Sequence, residues 1–259
     1  ALAQVLADNG NDVILWGVNP EQVEDINVHH RNSAYYDDPI HPSLKASTDL
    51  ACIQDADVVL AAVPTMALED VLTKASAYVN HPVIVINVAK GFHPVTHDRL
   101  SVVIRKIMPE EKLKAVVSLI GPSHAEEVIK RLLTAVNAVS DNEEVAKSIQ
   151  ELFSNSYFRV YRNTDVIGAE IGVALKNVMA IASGILEGAG QGDNARAALM
   201  TRGLAEMERY GVAQGAKKET VLGLDGVGDL IVTCTSRLSR NLFTFSTTSG
   251  SVIFTVFCG

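Results

Sequence analysis

Two lysines, an aspartate and an Arg-Asn pair stand out in this chain because each is set among small, apolar or glycine residues. They are Lys90 in Val88-Ala89-Lys90-Gly91, Lys176 in Gly172-Val173-Ala174-Leu175-Lys176-Asn177, Asp229 in Gly226-Val227-Gly228-Asp229, and Arg240-Asn241 after Ser239. Between the two lysines lies Ile120-Gly121-Pro122-Ser123-His124-Ala125, a tight turn carrying a hydroxyl and an imidazole. A lysine exposed to solvent has no need of apolar neighbours, whereas a lysine that meets a small anionic substrate does. The series reads as an active site assembled from distant segments.

Composition narrows the partner. The chain has 259 residues, enough for one large or two modest domains, and 47% of them are hydrophobic. No run approaches the ~20 apolar residues expected of a membrane span. The formal charge of −8 and a pI near 5.4 argue against nucleic acid, which needs a basic surface. An anionic ligand must then be captured by local positive charge against the global field. Three cysteines (Cys52, Cys234 and Cys258) without a C-x-x-C indicate neither a disulfide framework nor a zinc site. His93 and His97, with Asp98, have helical metal-ligand spacing but follow a loop signal, and no metal is expected there. The chain opens on Ala1-Leu2-Ala3-Gln4-Val5-Leu6, already helix-like, with no signal-peptide pattern. A cytoplasmic protein is the expectation.

Four short apolar runs predict the elements that position these residues: Val13 to Trp16, Asp57 to Pro64, Val83 to Val88, and Ala115 to Ile120. They are continuous rather than alternating and are separated by helical patterns, which predicts parallel strands covered on both faces. The result is an α/β fold with a doubly wound sheet, whose ligands sit beyond the carboxyl ends of its strands. Pro64, Lys90 and Gly121-Pro122-Ser123 fall at those ends. From about Asp165 the pattern changes to long Ala/Gly/Leu-rich helices at Ile167 to Leu186, Asn194 to Tyr210 and from Thr220 onward. Residues 1–164 therefore read as one domain and 165–241 as a helical second one, joined near Arg162-Asn163-Thr164.

Both ends depart from this plan. The chain begins where a first crossover helix would begin, with no strand or glycine loop before it. Residues 242–259 hold no charged residue and four of the seven phenylalanines, and read as a replaced terminus rather than as a hairpin around Ser249-Gly250-Ser251.

On these residues the chain resembles the bacterial NAD(P)-dependent glycerol-3-phosphate dehydrogenases. The resemblance runs from Ala1 to Asn241. Its most specific pieces are Leu175-Lys176-Asn177-Val178, Gly192-Asp193-Asn194-Ala195-Arg196, Thr201-Arg202-Gly203-Leu204-Ala205-Glu206, and Gly228-Asp229-Leu230 with Thr233-Cys234-Thr235-Ser236 and Ser239-Arg240-Asn241. It implies a Rossmann-type domain followed by a truncated helical domain, lacking the family's first strand and glycine loop. It implies interconversion of dihydroxyacetone phosphate and sn-glycerol 3-phosphate with NAD or NADP, feeding glycerophospholipid synthesis, in a homodimer.

Residue by residue, the resemblance makes Lys176 the general acid/base. Lys90, Gly121, Ser123, Lys176, Asp229, Ser239, Arg240 and Asn241 become substrate contacts, and Lys90, Ala125 and Arg240 cofactor contacts. Reduction of a ketone leaves negative charge on its oxygen, so a proton donor is required there. A lysine in an apolar helix beside another cation has its pKa lowered toward the working range. Asp229 would orient it, and the Ser239-Arg240-Asn241 element suits a phosphate dianion. That element also speaks against a hydroxyacid substrate. The alternative is an inactive fragment of such an enzyme. Where an acid would select NAD and an arginine NADP, Trp16-Gly17-Val18-Asn19-Pro20 offers neither.

Overall fold

The chain alternates strands and helices through its first 163 residues, and from Val166 to Thr235 its elements are all helical. In a computed structural model, residues 1–236 and Ser239 are described. Arg240, Asn241 and the 242–259 segment lie outside the described residues. Helix α1 (Leu2–Asp8) stops at Asn9 and Gly10, where a φ of +82° suits a residue without Cβ. Strand β1 (Ile14–Trp16), helix α2 (Pro20–Glu24) and strand β2 (Lys45–Ser47) follow. Next come β3 (Val58–Ala61), α3 (Thr65–Ser76), β4 (Val83–Asn87), α4 (Leu100–Ile107) and β5 (Leu113–Ile120). Then α5 (Ala125–Val128), β6 (Thr134–Val139), α6 (Glu143–Phe153) and β7 (Phe158–Asn163) complete the α/β part.

Strands β3, β4, β5, β6 and β7 are neighbours in that order in one sheet, and β3–β4–β5 run parallel as the continuous apolar runs predict. Strand β4, between β3 and β5, is buried along its whole length. Its Ile84 and Ile86 join Val5, Val117, Ile149 and Phe153 on one face, and its Val83 and Val85 join Leu68, Leu72, Leu100 and Ile104 on the other. Both faces are thus helix-covered, the condition that produced the unbroken apolar pattern.

Details differ from the sequence expectation. Among the described residues the Val13–Trp16 run pairs with β2 alone, in a separate parallel ribbon outside the larger sheet. Leu15 and Ala46 pack there on a small cluster of Ala7, Ile26, Ile40, Leu44 and Ile129, so these short strands are held by their own core. Strands β6 and β7 gave no continuous run. In β7 only Phe158 and Val160 are buried, the alternation of an edge strand. Strand β6 is antiparallel to β5, because the short link carrying α5 turns the chain straight back. A glycine is required at that turn. Gly121 has φ +151°, and a Cβ there would lie 2.9 Å from Val136 Cα.

Helix α7 (Val166–Gly188) packs Ala169 and Val173 on Ile120 and Val139 at the end of the sheet. It is followed by α8 (Asp193–Ala213), α9 (Lys218–Val221), a π-helical turn over Leu224–Gly228, and α10 (Asp229–Thr235). Ala180, Met207, Val221, Leu230 and Cys234 form their shared core. Contrary to the reading of the sequence, α7 is long and apolar enough to cross a membrane by length and composition, but 56% of that apolar window is buried inside the molecule. Its buried Glu170 and Lys176 are paired with other elements, as in the core helix of a globular protein.

Candidate active site

Lys90 follows the carboxyl end of β4 in a loop that the backbone holds tightly. Asn87, buried at the strand end, accepts a hydrogen bond from Ala89 N at 3.0 Å, and Thr65 Oγ1 at the start of α3 donates to Lys90 O at 3.2 Å. Lys176 projects from the middle of α7 and Asp229 opens α10. The three meet. Asp229 Oδ1 and Oδ2 accept from Lys90 Nζ at 3.1 and 2.9 Å, and Oδ1 lies 2.6 Å from Lys176 Nζ. The Asp229 and Lys176 side chains are 1% and 3% exposed while Lys90 is 33% exposed, so Lys90 is the member of the three that is open to solvent.

Thr233 completes the arrangement. Its Oγ1 accepts from Lys176 Nζ at 2.7 Å and donates to Asp229 O at 2.6 Å. Two of the three donor positions of the Lys176 ammonium are thereby engaged. Burial pushes the Lys176 pKa down, and the neighbouring Lys90 charge pushes it the same way. Asp229 opposes both, and the result is a pKa of about 7.

The Gly121–Ala125 turn borders the cluster: a Cβ on Gly228 would meet Pro122 at 3.7 Å, one residue before Asp229. Gly121 is buried, Ser123 and Ala125 are half-buried, and Ser123 Oγ donates to Gly121 O at 3.2 Å. Ser239 is buried beyond α10, with its amide donating to Ser236 O at 3.1 Å. Of the residues singled out in the sequence, Lys90, Lys176 and Asp229 come into contact, with Gly121 close by; Arg240 and Asn241 lie outside the described residues. His93 is engaged elsewhere, its ring between Glu69 Oε2 at 2.9 Å and Thr96 Oγ1 at 3.1 Å.

Two buried polar atoms on these segments, His124 Nε2 and Ser239 Oγ, have no hydrogen-bond partner among the described residues. Orphaned polar groups on the segments that carry the site fit a ligand that supplies hydrogen-bonding groups, as a dinucleotide and a phosphorylated substrate both do. Sequence reasoning named Thr233 only as part of a motif. Its spacing of four from Asp229 on one helix was the available signal for its place beside Lys176. It missed Glu170, Asn87 and Asp225, all buried polar residues.

A helix-covered sheet that is parallel over β3–β5, with Lys90 beyond the end of β4 and a helical part that brings Lys176 and Asp229 to it, is the arrangement of dinucleotide-dependent oxidoreductases. Residues 1–146 match the family described as NAD-dependent glycerol-3-phosphate dehydrogenase N-terminus, and residues 165–250 match its C-terminus counterpart. The chain belongs to the NAD-dependent glycerol-3-phosphate dehydrogenase family. The C-terminal match runs to residue 250, beyond Asn241 and into the segment read from sequence as foreign.

The chain is 51% identical over 243 residues to a glycerol-3-phosphate dehydrogenase [NAD(P)+] of Enterococcus faecalis, covering 93% of this chain and 72% of that protein. Its counterpart in Streptococcus pyogenes is 50% identical with the same coverage. Among solved structures, the glycerol-3-phosphate dehydrogenase of Coxiella burnetii superposes with a TM-score of 0.87 at 37% identity, over 93% of this chain and 74% of that one.

Proposed function

We propose that this protein reduces dihydroxyacetone phosphate to sn-glycerol 3-phosphate, and reverses the reaction, with Lys176 as the proton donor and acceptor. The observation that carries the reading is the buried Lys90–Asp229–Lys176 cluster, in which Lys176 has a pKa of about 7. A general acid is most effective when its pKa lies near the operating pH. NADH or NADPH, when bound, supplies the hydride to the middle carbon. Lys176 gives its proton to the carbonyl oxygen as negative charge develops there, using the donor position that Asp229 and Thr233 leave open. Lys90, the more exposed cation, faces the same oxygen and the phosphorylated end, and its charge stabilises the developing alkoxide. Asp229 holds both ammoniums in register. Gly121 and Ser123 line the substrate, Ala125 the cofactor, and Ser239, Arg240 and Asn241 hold the phosphate, with Arg240 also reaching the cofactor.

The division at residues 164 and 165 fits this assignment, with the dinucleotide on the sheet part and the substrate against the helices. The acidic net charge favours a small anion captured locally over nucleic acid. A cytoplasmic homodimer that supplies glycerol phosphate to lipid synthesis completes the reading, on the strength of the family resemblance.

The test is turnover of dihydroxyacetone phosphate followed by NADH or NADPH absorbance. Lys176→Ala lowers kcat by ~100-fold or more with a smaller change in KM, as loss of general acid catalysis requires. Activity within a few-fold of the parent removes Lys176 from the chemistry. Arg240→Ala separates phosphate binding from chemistry. Losing a charge-assisted contact of ~2–3 kcal/mol raises KM for dihydroxyacetone phosphate by one to two decades and leaves unphosphorylated dihydroxyacetone little affected. Equal effects on the two substrates defeat the phosphate assignment.

A further inference from the structure

Asp225 is a further buried carboxylate at the helical side of the site, and the reaction as derived above makes no use of it. It is 1% exposed and lies on the π-helical turn that leads into α10. Its backbone rests directly on α7, since a Cβ on Gly172 would come within 2.9 Å of Asp225 O. One turn further along each helix stand Lys176 and Asp229. Gly172 with Asp225, and Lys176 with Asp229, are therefore successive layers of one helix–helix contact.

The partners of Asp225 differ from those of Asp229. Asn163 at the end of β7 donates to its Oδ2 at 2.8 Å, while Oδ1 is buried without a hydrogen-bond partner among the described residues. The groups facing it are the amides of Asn163 and Asn137, which favour its charge, and the carboxylates of Asp229 and Asp165, which oppose it. Thr220 of α9 bonds to Asn163 at 3.4 Å and adds no charge. No cation pairs with Asp225 among the described residues. A carboxylate in that setting, with one oxygen free to carry a proton, exchanges that proton under ordinary conditions. Burial, opposed by the two amides and reinforced by the two carboxylates, brings its pKa up to about 6.

We propose that Asp225 is a positioning residue that couples the acidity of the solution to the proton on Lys176, acting through Asp229. The proposal rests on Lys176 being the proton donor. When Asp225 is ionised, its charge adds to that of Asp229 and holds the proton on Lys176. When Asp225 takes up a proton, Lys176 releases its own more readily. Both groups are buried in the same contact, where mobile ions screen weakly. Activity in the reducing direction, which needs protonated Lys176, thus extends to higher pH than Asp229 alone would allow.

The test reads the titration of Lys176 directly, by NMR of protein carrying 13C at the lysine Cε, with the Lys176 resonance identified by its loss in Lys176→Ala. The expected parent curve has a main midpoint near 7 and a second inflection near 6. In Asp225→Asn the second inflection disappears and the main midpoint falls by about one pH unit, the size of a neighbouring-charge effect. Asp225→Glu restores both features. An unshifted midpoint in Asp225→Asn overturns the proposal, as does a lowered melting temperature with the titration unchanged.

Should Asp225→Asn fail to fold, Asn163→Ala removes the 2.8 Å donor and leaves the lysines and Asp229 intact. The lower inflection then moves upward, and its failure to move overturns the proposal equally. Retained turnover in Lys176→Ala would defeat the proton-donor assignment. Lost turnover there with an unshifted Asp225→Asn titration would defeat Asp225 alone.

Discussion

Glu170 and Lys176 are buried charges of opposite sign on the same helix, α7, and they are satisfied in different ways. Glu170 accepts from Ser101 N at 3.0 Å, Ser101 Oγ at 2.6 Å and Ser118 Oγ at 3.0 Å, with the Arg99 guanidinium at 3.4 Å. These partners come from α4, the residue before it and β5, so Glu170 ties the helix to the sheet that bears Lys90 and the Gly121 turn. Lys176 has one carboxylate, which it shares with a second cation, and one hydroxyl. A buried charge surrounded by matched partners is fixed in place. A buried charge that competes for its counter-ion can change its protonation state at little cost, and that is what catalysis uses.

The largest effect follows from breaking the anchored end. Glu170→Ala leaves Arg99 and two buried hydroxyls unmatched and lowers unfolding stability by about 3–5 kcal/mol, read by urea denaturation. Turnover per folded molecule changes much less than stability. Lys176→Met shows the reverse, with stability within about 1 kcal/mol of the parent because Lys90 still neutralises Asp229. If both variants lose stability equally, the contrast between the two ends of the helix is wrong.

Asp225 sharpens the comparison as a carboxylate with no cation partner among the described residues. Its pKa is raised from 3.8 to about 6, so between those values the folded state binds the proton and the unfolded state does not. Stability then falls as pH rises through that window, by about 3 kcal/mol for a shift of this size. Asp225→Asn removes this slope. The stability difference between variant and parent therefore moves in favour of the variant from pH 4 to 6.5, measured by thermal unfolding across that range. A constant difference would mean that Asp225 titrates alike in both states.

The smallest effect is expected from Thr233→Val. Removing the hydroxyl that accepts from Lys176 at 2.7 Å leaves the Asp229 contact intact. Stability falls by about 1 kcal/mol and kcat by about tenfold, since a single hydrogen bond is lost. Steady-state kinetics at pH 7 decide it, and an unchanged kcat would make Thr233 a helix residue only.

Much of the site was legible because local context marked it. Lysines among Gly, Ala and Val have no reason to be there as solvated charges, and the apolar runs before them end where ligands of a parallel sheet bind. Other parts left no local trace. The hydrophobic patterns of β6 and β7 are interrupted by Asn137, Arg159 and Arg162, so neither resembles the buried runs of β4 and β5. Glu170 looks like any charge on a helix until the serines of α4 and β5 are seen to close over it.

The sequence by itself determined which residues stand out as candidates for the chemistry, their order along the chain, and the kind of element that presents Lys90, Lys176 and Asp229. Those properties depend on neighbours a few positions away, through helical and strand periodicity and through turn-forming residues. Only the tertiary structure decided that Lys90 and Asp229, 139 positions apart, share a hydrogen bond, that Asp225 has no cation partner among the described residues, and that β6 turns back on β5. Burial and charge interaction depend on distance in space, and a pKa of about 7 for Lys176 arises from segments that meet only when the chain has folded.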